Sequence, residues 1–121
     1  MPREPRLWQF RVRDILDAIA RIQTYAAGMT FEQFALDRKT LDAIERNFIS
    51  IGEAARDFPD DIIKRHPEVP WGDMRAMRNF VVHVYWGVDA KRVWDTIHTN
   101  LPPLVPQLEK VLQTAGGSNR P

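Results

Sequence analysis

The chain has 121 residues, no cysteine, and 17 Lys plus Arg against 16 Asp plus Glu, a formal net charge of +1. That length suits one domain able to bury a core without staples, and the missing thiols exclude disulfide scaffolds, Cys-based zinc sites, iron–sulfur clusters and thiol catalysis. The balanced charge names no partner, while 44% hydrophobic and 27% charged residues mark a globular chain rather than a disordered one. No uncharged run approaches the ~20 apolar residues of a membrane span. The charged start Met1-Pro2-Arg3-Glu4-Pro5-Arg6 predicts no secretory signal, so the expected location is cytoplasmic.

In chain order the pattern is helical. Ile15, Ile19, Ile22 and Ala26 recur at steps of four, three and four, one face of a helix that starts near Trp8 and stops at Gly28. Thr30-Phe31-Glu32-Gln33 fits a capping box, so a short second helix follows with Phe31 and Phe34 turned inward. Leu41, Ile44, Phe48, Ile51 and Ala55 form the next stripe, bounded by Asp37 and Pro59. Pro67 and Pro70 punctuate a connector, and Pro70-Trp71 opens a fourth helix running to about Tyr85. Gly87-Val88-Asp89 breaks the pattern, and Asp89 is a good N-cap for a last helix. That helix carries Val93, Trp94, Ile97, Leu101, Leu104, Leu108 and Val111, and Pro102, Pro103 and Pro106 should kink or split it. No segment alternates with period two for long enough to make a strand. The prediction is an all-α, single-domain bundle of four to five helices over 8–113, with a flexible tail over 114–121.

The fourth helix gathers the polar chemistry. At about 100° per residue, with Arg78 as zero, Arg75 falls near 60°, Asn79 near 100°, His83 near 140° and Tyr85 near 340°. Met74, Met77, Phe80, Val81 and Val84 fill the opposite arc as a core stripe. His83 lies one turn beyond Asn79, within reach of its amide. Arg78 and His83 are about one and a half turns apart, so a pocket using both must span the face or be completed by another subunit. Guanidinium plus imidazole suits phosphodiester chemistry: Arg is a permanent forked cation for a phosphate oxyanion, and His exchanges a proton near neutral pH. In RNA the 2′-OH is an internal nucleophile, so a base and a charge stabiliser suffice without metal. Spacing alone also fits a solvated or salt-bridged face, and by itself favours that plainer reading.

The remaining candidates divide by context. Glu53 follows Gly52 on the third helix, where a small residue permits close helix approach; a general-acid role competes with the favoured one, a structural partner for Arg78 or Arg75. Arg75 suits RNA backbone binding and a surface salt bridge equally. His66 and His98 stand apart on a connector and on the last helix, and without Cys or H-E-x-x-H no metal or other cofactor is expected. Asp60-Asp61 after Pro59 reads as a helix N-terminal charge pair. Trp71 and Trp94 fall on apolar stripes and belong to the core, whereas Trp86 borders the polar motif and is the candidate for stacking on a base.

Arg78-Asn79-Phe80-Val81-Val82-His83-Val84-Tyr85 has the form R-N-x-x-x-H-x-Y, which resembles the signature of the HepT-like branch of the HEPN superfamily. That branch is the toxin half of HepT–MntA toxin–antitoxin pairs. Asp14-Ile15-Leu16, Gly28-Met29-Thr30-Phe31, Ile51-Gly52-Glu53-Ala54, Pro70-Trp71, Gly87-Val88-Asp89, Val93-Trp94 and Leu101-Pro102 extend the likeness in the same order over about residues 10 to 112. The resemblance implies an all-α, metal-independent ribonuclease toxin acting as a homodimer, with two copies of the motif meeting in a cleft. It implies that Arg78 stabilises the phosphate, His83 handles the 2′-OH proton and Asn79 orients the site. Tyr85 would be the residue given AMP by an MntA-like nucleotidyltransferase antitoxin. Two rivals remain: a non-catalytic HEPN module that docks the nucleotidyltransferase, and, more weakly, a nucleotide-binding domain.

Overall fold

The computed structural model describes residues 7–79 and 88–118, and every described element is helical. His83, Tyr85 and Trp86 lie outside the described residues. The first helix, α1 (Leu7–Ala26), buries the predicted stripe: Ile15, Ile19 and Ile22 are fully enclosed. It ends where Gly28 takes φ +77°, a left-handed conformation that costs glycine little. Thr30 then caps α2 (Phe31–Leu36): its hydroxyl accepts from Gln33 N–H while the Gln33 side chain accepts from Thr30 N–H. Asp37 ends α2 and caps α3 (Arg38–Ala54), its carboxylate accepting from Thr40 N–H at 3.0 Å.

Helices α1 and α3 run antiparallel. Arg11 pairs with Asp57 just beyond α3, and ten residues later Arg21 reaches Asn47 within it. Between them lie Leu41, Ile44, Phe48 and Ile51, all fully buried; each such side chain contributes about 1.5–3 kcal/mol of burial free energy. Pro59 opens α4 (Asp60–Arg65), a short helix with Asp60 and Asp61 in its first turn and Lys64 and Arg65 in its last, complementing the dipole at both ends. The sequence reading of Asp60-Asp61 as a helix N-terminal charge pair is borne out. Trp71 and Trp94 are core residues as expected: Trp71 packs on Phe58 with ring centroids 4.8 Å apart, and Trp94 packs on Phe34 at 5.1 Å.

The predicted fourth helix differs most. Helix α5 (Trp71–Ala76) is six residues long and tightens into a 3₁₀ turn at Met77–Asn79. A 3₁₀ turn advances about 120° per residue instead of 100°, so the regular wheel no longer places Arg78 and Asn79. The last part of the chain is α6 (Val88–Asp95), a five-residue π turn (Thr96–Asn100) and α7 (Leu101–Ser118), in unbroken sequence. Asp89 thus lies inside α6 rather than at its cap. The expected split at the prolines takes the form of this π turn, in which Leu101 N–H reaches back to the Thr96 carbonyl. Pro102 and Pro103 have no N–H for the carbonyls one turn back and would crowd them, and the wider turn accommodates both. Helix α7 continues to Ser118, so helical backbone extends beyond Thr114, where the predicted tail begins. Among the described residues there are seven α-helical segments, because the short α4 adds one to the predicted set and the π turn divides the last helix in two. No described helix is long and apolar enough to cross a membrane.

Candidate active site around Arg78

The 3₁₀ turn lies directly on α3. A Cβ added to Gly52 would sit 2.3 Å from the backbone nitrogen of Arg78 and 2.6 Å from its Cβ, closer than real Cβ atoms approach anything. Hydrogen is therefore the only side chain that fits at position 52 with the turn in this place. The close approach inferred from sequence exists, and its partner is the backbone of the motif arginine.

Glu53, the next residue on α3, faces the Arg78 side chain. Its Oε2 lies 3.7 Å from Arg78 Nε, with both side chains about half exposed, at 55% and 52%. The reading of Glu53 as partner to an arginine holds, and the arginine is Arg78. In such an exposed position a pair of this kind adds only about 0.2–1 kcal/mol to stability, so its main effect is on where the guanidinium points. Arg75 and Asn79 are exposed, and among the described residues neither has an ion pair or side-chain hydrogen bond. The structure therefore joins Arg78 to Glu53 and leaves Arg75 facing water.

Glu53 also borders a groove between α1 and α3, lined by Arg11, Asp14, Asp17, Arg21 and Ser50. Sequence reading passed over the α1 members, yet their signal is present: charges at 11, 14, 17 and 21 fall on one helical face. A second hollow, lined by Asp73, Met77, Arg92, Thr96 and Asn100, sits between α5 and the π turn.

The two histidines outside the motif occupy different settings. His66 is 4% exposed; its Nδ1 lies 3.4 Å from Glu68 Oε2, and its carbonyl accepts from the Trp71 indole at 3.0 Å. The Glu68 carboxyl is held below the usual carboxylate range, first by a hydrogen bond from its own backbone N–H and then by His66. His98 is exposed on the π turn, and because a carbonyl can only accept, its Nδ1 donates to the Trp94 oxygen at 2.8 Å. Among the described residues no three His, Asp or Glu side chains converge as metal ligands.

Fold and site together define an all-α, HEPN-like bundle that presents an arginine from a turn seated on a neighbouring helix. The family model "Ribonuclease HepT-like" matches residues 15–111, and the chain belongs to the HepT-like ribonuclease family. It is 38% identical over 100 residues to the "Probable ribonuclease HepT" of Thermococcus cleftensis, covering 83% of this chain and 91% of that one. It is 32% identical over 106 residues to the "Putative RNase MJ0127" of Methanocaldococcus jannaschii, covering 88% of each. A Caldanaerobacter subterraneus relative, "Putative RNase TTE0752", is 35% identical over 86 residues, 71% of this chain and 77% of that one. No solved structure gives a significant match. Family and relatives both support ribonuclease function.

Proposed function

We propose that this protein is the ribonuclease toxin of a toxin–antitoxin pair and cleaves RNA by transesterification without a metal ion. The observation that carries the reading is the placement of Arg78: its backbone is pinned on α3 at Gly52 while its guanidinium remains half exposed, a fixed cation open to a phosphodiester. In the reaction His83 removes the proton of a ribose 2′-OH, and the freed oxygen attacks the adjacent phosphorus. The bond to the 5′ oxygen breaks, that oxygen takes up a proton, and a 2′,3′-cyclic phosphate remains. Arg78 offsets the negative charge that builds on the non-bridging oxygens, and Asn79 orients the site. The working unit is a homodimer, with a second copy of the motif completing the cleft, and Arg75 and Trp86 contact the RNA strand. An MntA-like nucleotidyltransferase neutralises the enzyme by adding AMP to Tyr85, which gives the motif a bulky negative group and repels RNA.

The test is RNA cleavage by purified protein in EDTA, comparing wild type with Arg78→Ala and His83→Ala. Losing the oxyanion partner should cost about 10²–10³-fold in rate, and losing the base should cost a similar factor. Wild-type levels of cleavage in both variants would remove the site assignment. Transfer of AMP to Tyr85 with no cleavage by the unmodified protein would instead identify a non-catalytic docking module.

A further inference from the structure

We infer that Glu53 is the positioning residue of Arg78: from its place beside Gly52 it holds the guanidinium by the Nε edge and leaves the two terminal nitrogens to grip the phosphate. This rests on the ribonuclease reading above. Three observations converge on it. The Gly52 contact fixes the Arg78 backbone against α3, so the side chain starts from a set point rather than a mobile loop. The Glu53 carboxylate approaches the guanidinium at Nε, 3.7 Å away. Both side chains are about half exposed, which leaves room for a phosphodiester to approach the pair.

The chemistry follows from the shape of the arginine head. A guanidinium has five N–H donors in one plane and two edges that match a carboxylate or phosphate. Occupying the Nε edge with Glu53 leaves the end-on edge, with its two parallel N–H vectors, for two non-bridging oxygens. The contact is longer than a hydrogen bond, so Glu53 biases orientation by charge without consuming a donor. An unpaired arginine on a half-exposed turn samples many rotamers, and mis-set catalytic groups lose rate steeply for small displacements. Gly52 and Glu53 therefore act as one seat, the first setting the backbone and the second the head.

The experiment compares Glu53→Gln, Glu53→Asp and wild type, all exposed substitutions on an intact helix. Cleavage rates are read across pH, and binding is read with a 2′-O-methyl RNA oligonucleotide that cannot be cut. The positioning role predicts a kcat loss of roughly tenfold or more in Glu53→Gln, with partial recovery in Glu53→Asp. It also predicts oligonucleotide affinity within about twofold of wild type and an unchanged shape of the pH profile. Loss of the acidic or basic limb of that profile in Glu53→Gln would make Glu53 a proton-transfer group and overturn the inference. Tighter binding and faster cleavage in Glu53→Gln would make it a competitor of the phosphate, with the same effect. The Arg78 Nε–Hε resonance provides a readout that needs no activity. It should shift in Glu53→Gln even in a protein that cuts no RNA, and an unmoved resonance would sink the pairing independently of the ribonuclease reading.

Discussion

Arg21 on α1 donates through Nε to Oδ1 of Asn47 on α3 at 2.9 Å, while Asn47 Nδ2 donates a hydrogen bond to the Ala43 carbonyl at 2.8 Å. Asn47 is 8% exposed, so both ends of its amide are satisfied where water is scarce. The pair ties α1 to α3 on the same helical face as Arg11 and Asp57, at the opposite end. Replacing Asn47 by Ala should lower stability by about 1–2 kcal/mol. The Arg21→Ala change should cost less, because Arg21 is exposed and its head can be hydrated. A double-mutant cycle by chemical denaturation should return a coupling of about 1 kcal/mol, and additivity would show that the two side chains do not communicate.

Two glycines should respond to alanine in opposite directions. Gly52→Ala forces a methyl into the Arg78 backbone and should destabilise by about 1–3 kcal/mol or more, as overpacking does. Gly72, in the first turn of α5, has open space where its Cβ would be, so Gly72→Ala should be neutral or stabilise by about 0.5–1 kcal/mol. Thermal melts of the two variants side by side check the contact. Equal melting temperatures would mean the 3₁₀ turn does not lie on α3 as described.

The Trp71 indole binds the His66 carbonyl at 3.0 Å and ties the connector to α5. Trp71→Phe keeps most of the ring but takes the indole donor from that carbonyl, on a residue 4% exposed, leaving it the Val69 N–H at 3.1 Å. A loss of about 1–2 kcal/mol is expected, from one lost hydrogen bond together with the lost ring volume. Hydrogen exchange should show the loosening first at the N-terminal turn of α5. Protection unchanged there would assign the stability of this end to ring packing on Phe58 alone.

Acid should weaken the junction of α2 and α3. The hydrogen bond from Thr40 N–H holds the Asp37 carboxyl below its ordinary value of 3.8. A depressed folded-state pKa means the charged cap stabilises the fold above that ordinary value and loses its contribution as pH falls through the lower folded one. Asp37→Asn should therefore melt below wild type at pH 7, and the gap should shrink toward pH 3. A gap that stays constant with pH would show that the cap acts by hydrogen bonding alone and not by charge.

Much of this fold is written in local sequence. The stripe of Ile15, Ile19 and Ile22, the Thr30–Gln33 capping box and the Asp37 cap appear in the structure as read, because periodicity and capping are decided within a few residues. Glu53 as an arginine's partner and Gly52 as a point of close approach were also legible, since a small residue on a helix face permits close approach and a carboxylate beside it can meet a cation. The change of geometry at Met77 was not, and the rest of the predicted fourth helix, 80–85, lies outside the described residues. Nothing between Trp71 and Asn79 announces that α-geometry ends at Ala76, because that ending accompanies a contact with α3, some 26 residues earlier in the chain (78 − 52). Periodicity and composition thus determined an all-α, thiol-free domain, and the family resemblance, not the spacing alone, pointed to an Arg–His chemistry. Only the tertiary structure decided that Arg78 is delivered by a 3₁₀ turn, that Gly52 is where it sits and that Glu53 meets its Nε edge. Helix periodicity is a property of neighbours in sequence, whereas the direction of a catalytic side chain is fixed by what packs against its backbone.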